Sequence, residues 1–145
     1  MSLFSSFAVS ASGMDAQRTR AELLVENLAN AETTRTPEGG PYKRKDAVFT
    51  TDRTDSSFQS VFHSQLGEES TGVAVSEISV DTREPDKHYL PGHPDAYANG
   101  YVALPRINPA EDMVDLMGAS RGYQANVAAI SAVKDMIYRS IDLMR

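Results

Sequence analysis

Three side chains in this 145-residue chain have the types and closeness for acid–base or metal chemistry: His88, His93 and Asp95. Imidazole nitrogens and a carboxylate are common metal donors, and a His–carboxylate pair can move a proton. Their spacing fits no common zinc pattern. The stretch 83–97 also holds Pro85, Pro91, Gly92 and Pro94, which makes it a loop rather than a rigid element. Packing or hydrogen bonding within that loop is the expectation, and a small metal-dependent hydrolase is the alternative that would use the trio. There is no cysteine, hence no disulfide and no thiolate zinc site. No phosphate-binding glycine loop, nucleophile elbow or Walker pattern is present, and no cofactor or metal is expected. Lys43-Arg44-Lys45 is too short for a nucleic-acid patch. It reads as a solvated loop or a salt bridge to a neighbour.

Charge narrows the classes further. The net charge is −6, with 23% charged and 41% hydrophobic residues. Residues 1–45 carry six basic and five acidic side chains, residues 46–107 four and ten, and residues 108–145 four and five. The excess acid sits in the middle, where it can face water, and the near-neutral ends can pack. Nothing is basic enough to track a phosphate backbone, so nucleic-acid binding is disfavoured. No apolar run approaches the roughly 18 residues of a membrane span, so no membrane insertion is expected. The N-terminus has small residues but no basic residue before Arg18 and no solid apolar core, a poor secretory signal.

The elements at both ends are long helices. Steps of 3 and 4 from Met113 give Met113, Leu116, Ser120, Tyr123, Val127, Ile130, Lys134, Ile137, Ile141 and Met144, a seam built to lie along another helix. A shift of two residues, about 200° around the helix, gives Gly118, Gly122, Ala125, Ala129 and Ala132. This second stripe is nearly bare of side chain and admits a close neighbour. Asn108 suits an N-cap, Pro109 the first helical position and Glu111 a capping box. Uninterrupted by proline, residues 109–145 would extend about 55 Å, longer than a small globular domain is wide. The same stepping from Phe4 gives Phe4, Phe7, Ala11, Met14, Arg18, Ala21, Val25 and Leu28. A helix from about residue 4 to 31, stopped near Asn30, is expected. Its uncharged first half should be helical only when packed against something.

Between the helices the signals are short and irregular. Residues 47–51 read as a strand and 52–71 as an irregular polar loop. From Gly72 to Asp81, Val73 and Val75 share one parity and Ile78 and Val80 the other. That switch predicts a bulge or bend near Ser76-Glu77. Asn99-Gly100 is a turn signal, and residues 101–104 form a strand candidate. The expected fold is therefore mainly α, with long N- and C-terminal helices paired as an α-helical coiled coil and a small irregular β region between. Its divisions are residues 1–34, 35–107 and 108–145. The large seam finds one partner in the first helix. The small-residue face has none within the chain, so it is assigned to other copies. A discrete coiled-coil adaptor is the alternative that keeps both helices.

Several motifs carry a resemblance. Val25-Glu26-Asn27-Leu28-Ala29-Asn30-Ala31-Glu32-Thr33-Thr34 ends the first helix, followed by Tyr42-Lys43-Arg44. Pro91-Gly92-His93-Pro94-Asp95-Ala96, Ala98-Asn99-Gly100-Tyr101-Val102 and Asn108 follow, then residues 111–117 (EDMVDLM) and 119–127 (ASRGYQANV). Together these make the chain similar to the flagellar rod, hook and filament-axial family of bacteria, over nearly its whole length except about residues 52–71. Two positions depart from the family pattern: Arg106 stands where asparagine is expected, and residues 35–41 form an insertion-like link. The resemblance implies a non-enzymatic structural subunit exported without a cleaved signal through the flagellar type III export apparatus. It implies helical assembly, with terminal helices lining the inner tube of a rod that crosses the periplasm and carries torque. Implied partners are other copies, other rod subunits and the adaptor joining the MS ring to the export gate.

Overall fold

The computed structural model describes residues 3–52 and 72–144; the expected loop at 52–71 lies almost wholly outside them. Six elements follow in order. They are α1 (Leu3–Ala29), β1 (Lys45–Asp52), β2 (Gly72–Val80), β3 (Asp86–Tyr89), β4 (Tyr101–Leu104) and α2 (Pro109–Leu143). The two long terminal helices lie antiparallel: Gly13 meets Asn126, Gln17 meets Gly122 and Arg20 pairs with Asp115 at 3.4 Å. Asn108 caps α2, its side-chain oxygen accepting from the Ala110 N–H at 3.2 Å, and Pro109 opens the helix.

The strands form two separate antiparallel hairpins, β1–β2 and β3–β4. Val48 pairs with Glu77 and Phe49 with Val75, so Ser76 is the extra residue of a bulge. Its hydroxyl donates to the Val48 carbonyl at 3.1 Å. The bulge absorbs the parity switch read in the sequence. Val73, Val75, Ile78 and Val80 now share one face with Lys45, Ala47, Phe49 and Thr51, as one extra residue shifts the period-2 pattern by one. β1–β2 packs along α1, with the Val73 N–H bonded to the Ser12 hydroxyl at 3.1 Å.

β3 forms inside the proline-rich stretch. In a two-stranded hairpin every strand is an edge, where proline neighbours are tolerated. Gly100 supplies the left-handed turn (φ 78°) that joins the connecting loop to β4. A side chain there would also strike the Tyr89 ring, which lies 2.8 Å from where a Cβ would stand.

The helix pairing differs in face from the one expected. Contact runs through Gly13, Ala16 (3% exposed) and Ala119 (wholly buried), whose small side chains bring the backbones close. At 100° per residue, Phe7, Met14, Ala21 and Val25 lie about 140–180° round α1 from Ala16. The expected α1 seam thus points away from α2. Stepping through large residues located an apolar face of α1, but the internal joint is built from small ones.

A candidate assembly site: a polar joint and outward helix faces

α1, the link after it, β1 and the start of α2 converge on one polar joint. Asn27 is wholly buried, which is tolerable because both polar atoms of its amide are hydrogen-bonded. Its Nδ2 donates to the Lys45 carbonyl at 2.8 Å, while its Oδ1 accepts from the Lys45 N–H at 3.0 Å and the Tyr42 hydroxyl at 3.1 Å. The side chain thereby stands in for a strand partner at the entrance to β1. Burial, then the negative charge of Glu26, pushes the Tyr42 hydroxyl up to about 12, so it remains a donor at ordinary pH.

Asp112, in the first turn of α2, is also wholly buried. The Arg44 guanidinium bridges it to Asp46: Nη1 bonds Asp112 Oδ1, and Nε bonds Asp46 at 3.0 and 3.2 Å. The Asp46 hydrogen bond is the largest cause raising the Arg44 pKa, and the guanidinium stays charged. Lys45 pairs with Glu26 and lies 5.6 Å from the Tyr42 ring centroid. Arg44 and Lys45 are therefore intramolecular ties, where the sequence suggested a solvated loop or a bond to a neighbour. Lys43 alone of the three stays exposed.

The second asparagine of the motif closes the helix. Asn30 Nδ2 donates to the Glu26 carbonyl at 2.9 Å, and Oδ1 accepts from the Thr33 hydroxyl at 3.1 Å. Thr34 then bonds Asp95 Oδ2 at 2.7 Å, and the Asp95 N–H bonds His93 Nδ1 at 3.1 Å. His93 and Asp95 fasten the 91–97 loop to the exit of α1, and His88 lies exposed on β3 opposite Val102. Among the described residues no three His, Asp or Glu side chains gather as a metal would require. Leu28 is half-buried and Ala29 exposed; the joint uses the asparagines of the motif and Tyr42.

The remaining candidate residues divide by direction. On α2, Leu116, Ile130 and Ile137 are half-buried. Met113, Tyr123, Val127 and Ile141 are 41–57% exposed. Gly122 faces inward, with Gln17 Cδ 3.1 Å from its would-be Cβ, a correction to its grouping with the outer stripe. Gly118, Ala125, Ala129 and Ala132 are exposed, and nothing lies within 4 Å of a Cβ placed on Gly118. On α1, Phe7 and Val25 are about half exposed, whereas Ala11, Met14, Ala21 and Leu28 are half-buried. The Phe4 side chain lies outside the described residues. Sequence reasoning missed Asp112 and Arg44 as a pair, because a separation of 68 positions leaves no local signal. It also missed the outward Val114, Met117 and Met136. No described helix is long and apolar enough to cross a membrane.

The chain is similar to known proteins over its whole length. The family model described as "Flagellar basal body rod FlgEFG protein C-terminal" matches residues 98–143, spanning β4 and α2. The flagellar basal-body rod protein FlgC of Bacillus subtilis is 39% identical over 99% of both chains. The FlgC of Borreliella burgdorferi is 36% identical over all of this chain and 99% of its own. That of Salmonella typhimurium is 35% identical over 99% and 98%. With likeness at this level from end to end, the chain belongs to the flagellar basal-body rod protein FlgC family.

Proposed function

We propose that this chain is a structural subunit of the flagellar basal-body rod that assembles helically through the outward faces of its paired terminal helices. The observation that carries this reading is Gly118. A glycine in mid-helix costs about 1 kcal/mol relative to alanine, and among the described residues nothing uses the space it leaves. Close approach of a second backbone does use it. Met113, Val114 and Met117 on α2, and Phe7 and Val25 on α1, flank such contacts with apolar surface that the monomer leaves open. In a helical array each subunit covers these faces on its neighbours, and there the helices acquire coiled-coil partners. Residues 1–34 and 108–145 form the inner tube that carries torque and walls the export channel across the periplasm, and residues 35–107 face outward. Other copies, other rod subunits and the MS-ring/export-gate adaptor are the partners, reached through the type III export apparatus.

The test is Gly118→Leu beside Ile130→Val in swimming cells. A bulky side chain in a close-packed seam costs about 1–3 kcal/mol per contact, and the array repeats that cost in every subunit. Gly118→Leu should abolish rod assembly and motility with secreted subunit still present, and Ile130→Val should swim. Normal swimming by Gly118→Leu cells would overturn the reading.

A further inference from the structure

The turn that leads into β4 holds a side-chain amide against the main chain. Asn99 is exposed, and its Oδ1 accepts a hydrogen bond from the Tyr101 N–H at 3.3 Å. That bond, from the amide to the backbone two residues on, folds the side chain back over the intervening Gly100 nitrogen. Gly100 carries no side chain to obstruct an approach, and it cannot be exchanged for another residue, since a Cβ there would stand 2.8 Å from the Tyr89 ring. The Tyr97 N–H bonds the Tyr101 carbonyl and the Gly100 N–H the Tyr97 carbonyl, each at 2.8 Å. The other four asparagines lack this arrangement. Asn27 and Asn126 lie inside helices, whose hydrogen-bond ladder occupies the following N–H. Asn30 is followed by Ala31, and its amide holds the Glu26 carbonyl and the Thr33 hydroxyl. Asn108 precedes Pro109, which has no N–H.

The turn therefore holds the parts of an intramolecular acyl transfer. Gly100 N is the nucleophile, Asn99 Cγ the electrophile, and the Tyr101 N–H a donor to the oxygen that gains charge. We propose that Asn99–Gly100 is a self-modifying site, where the exposed amide is converted without an enzyme to aspartate and isoaspartate. The Gly100–Tyr97 hydrogen bond opens first, and at an exposed turn such local opening costs little. The Gly100 nitrogen then loses its proton to water or hydroxide and attacks Cγ. The new C–N bond closes a five-membered imide, the bond from Cγ to Nδ2 breaks, and the amide nitrogen takes up a proton and leaves as ammonia. Water adds to one of the two imide carbonyls. Opening one C–N bond yields aspartate, and opening the other yields isoaspartate, with no oxidant or cofactor involved. Aspartate adds a negative charge at the surface. Isoaspartate also lengthens the main chain by one carbon between positions 99 and 100, inside the span of the Tyr97–Tyr101 and Leu90–Gly100 bonds. The modified turn no longer fits the β3–β4 register, so the site records the age of a molecule by loosening that hairpin.

The test does not depend on rod assembly. Purified full-length chain is incubated at pH 7 and pH 8, and its tryptic peptide 88–106 is mapped by mass spectrometry. Isoaspartate is identified by labelling with an isoaspartyl methyltransferase. Conversion at Asn99 should outpace that at every other asparagine by at least about tenfold. It should also rise roughly tenfold between the two pH values, because the nucleophile is the deprotonated nitrogen. The folded chain should convert no more slowly than a free peptide of residues 95–104, since the fold holds the amide in a position that the peptide must find. Asn99→Ser, a change at an exposed side chain, should abolish the acid gain in that peptide, and an unchanged thermal melt checks its fold. Slower conversion in the folded chain than in the free peptide overturns the inference, as does conversion at another asparagine at an equal rate.

Discussion

The polar joint and the outward helix faces show opposite uses of the same two helices. At the joint, two wholly buried polar side chains, Asn27 and Asp112, are held by Lys45, Tyr42 and Arg44, and three chain segments are fixed to one another. Along the outer faces, large apolar side chains such as Met113, Val114 and Met117 are more than half exposed. Buried hydrogen bonds hold their direction and penalise misfit, whereas apolar contact is tolerant of direction. The joint therefore sets the angle between the helix pair and the β1–β2 hairpin. The faces supply cohesion to whatever lies beside them. In the proposed rod, stiffness inside each unit and adhesion between units are separate needs, placed here in separate residues.

The sharpest way to break that division is at Asn27. Asn27→Ala leaves the Lys45 N–H and carbonyl and the Tyr42 hydroxyl without their partner. A loss of about 2–4 kcal/mol in urea unfolding of the isolated subunit is expected. A loss below about 0.5 kcal/mol would place the joint's strength elsewhere. Gly118→Ala is the counterpart on the outer face and should raise monomer stability by up to about 1 kcal/mol, since the added methyl meets nothing among the described residues. Any destabilisation of the monomer would show that Gly118 serves the fold rather than a neighbour.

The smallest effect concerns Asp81, the residue just past the end of β2. Hydrogen bonds from Arg83 hold the Asp81 carboxyl down to about 2. A carboxylate depressed in the folded state stabilises above its unfolded value near 3.8, and that contribution is lost as pH falls through about 2. Wild-type stability should accordingly fall more than that of Asp81→Asn between pH 5 and pH 2. Parallel pH profiles in the two proteins would contradict the assignment.

Legibility in the sequence followed the range of the forces. Asn108 and Pro109, β4 and the bulge at Ser76 were readable because each depends on neighbours within a few residues. The existence and length of both helices were readable from periodicity. The inner face of α1 was not, because stepping through large residues cannot detect a seam made by Gly13, Ala16 and Ala119. β3 was hidden by the prolines around it, which exclude a central strand but allow an edge. The tie between Arg44 and Asp112 joins residues 68 apart, and only the fold brings them together. Gly122 was grouped by spacing with an outer stripe from which its actual direction removes it.

The central claim is that the outer faces of α1 and α2 are covered by neighbouring subunits. A density map of the intact basal body, with side chains resolved in the rod, tests it most directly. The account predicts backbone or side-chain atoms of an adjacent subunit within van der Waals contact of Gly118, Ala125, Ala129 and Ala132, with Phe7 and Met113 buried in the same array. A rod in which those α2 positions face solvent, while subunits join through the strands alone, would contradict it.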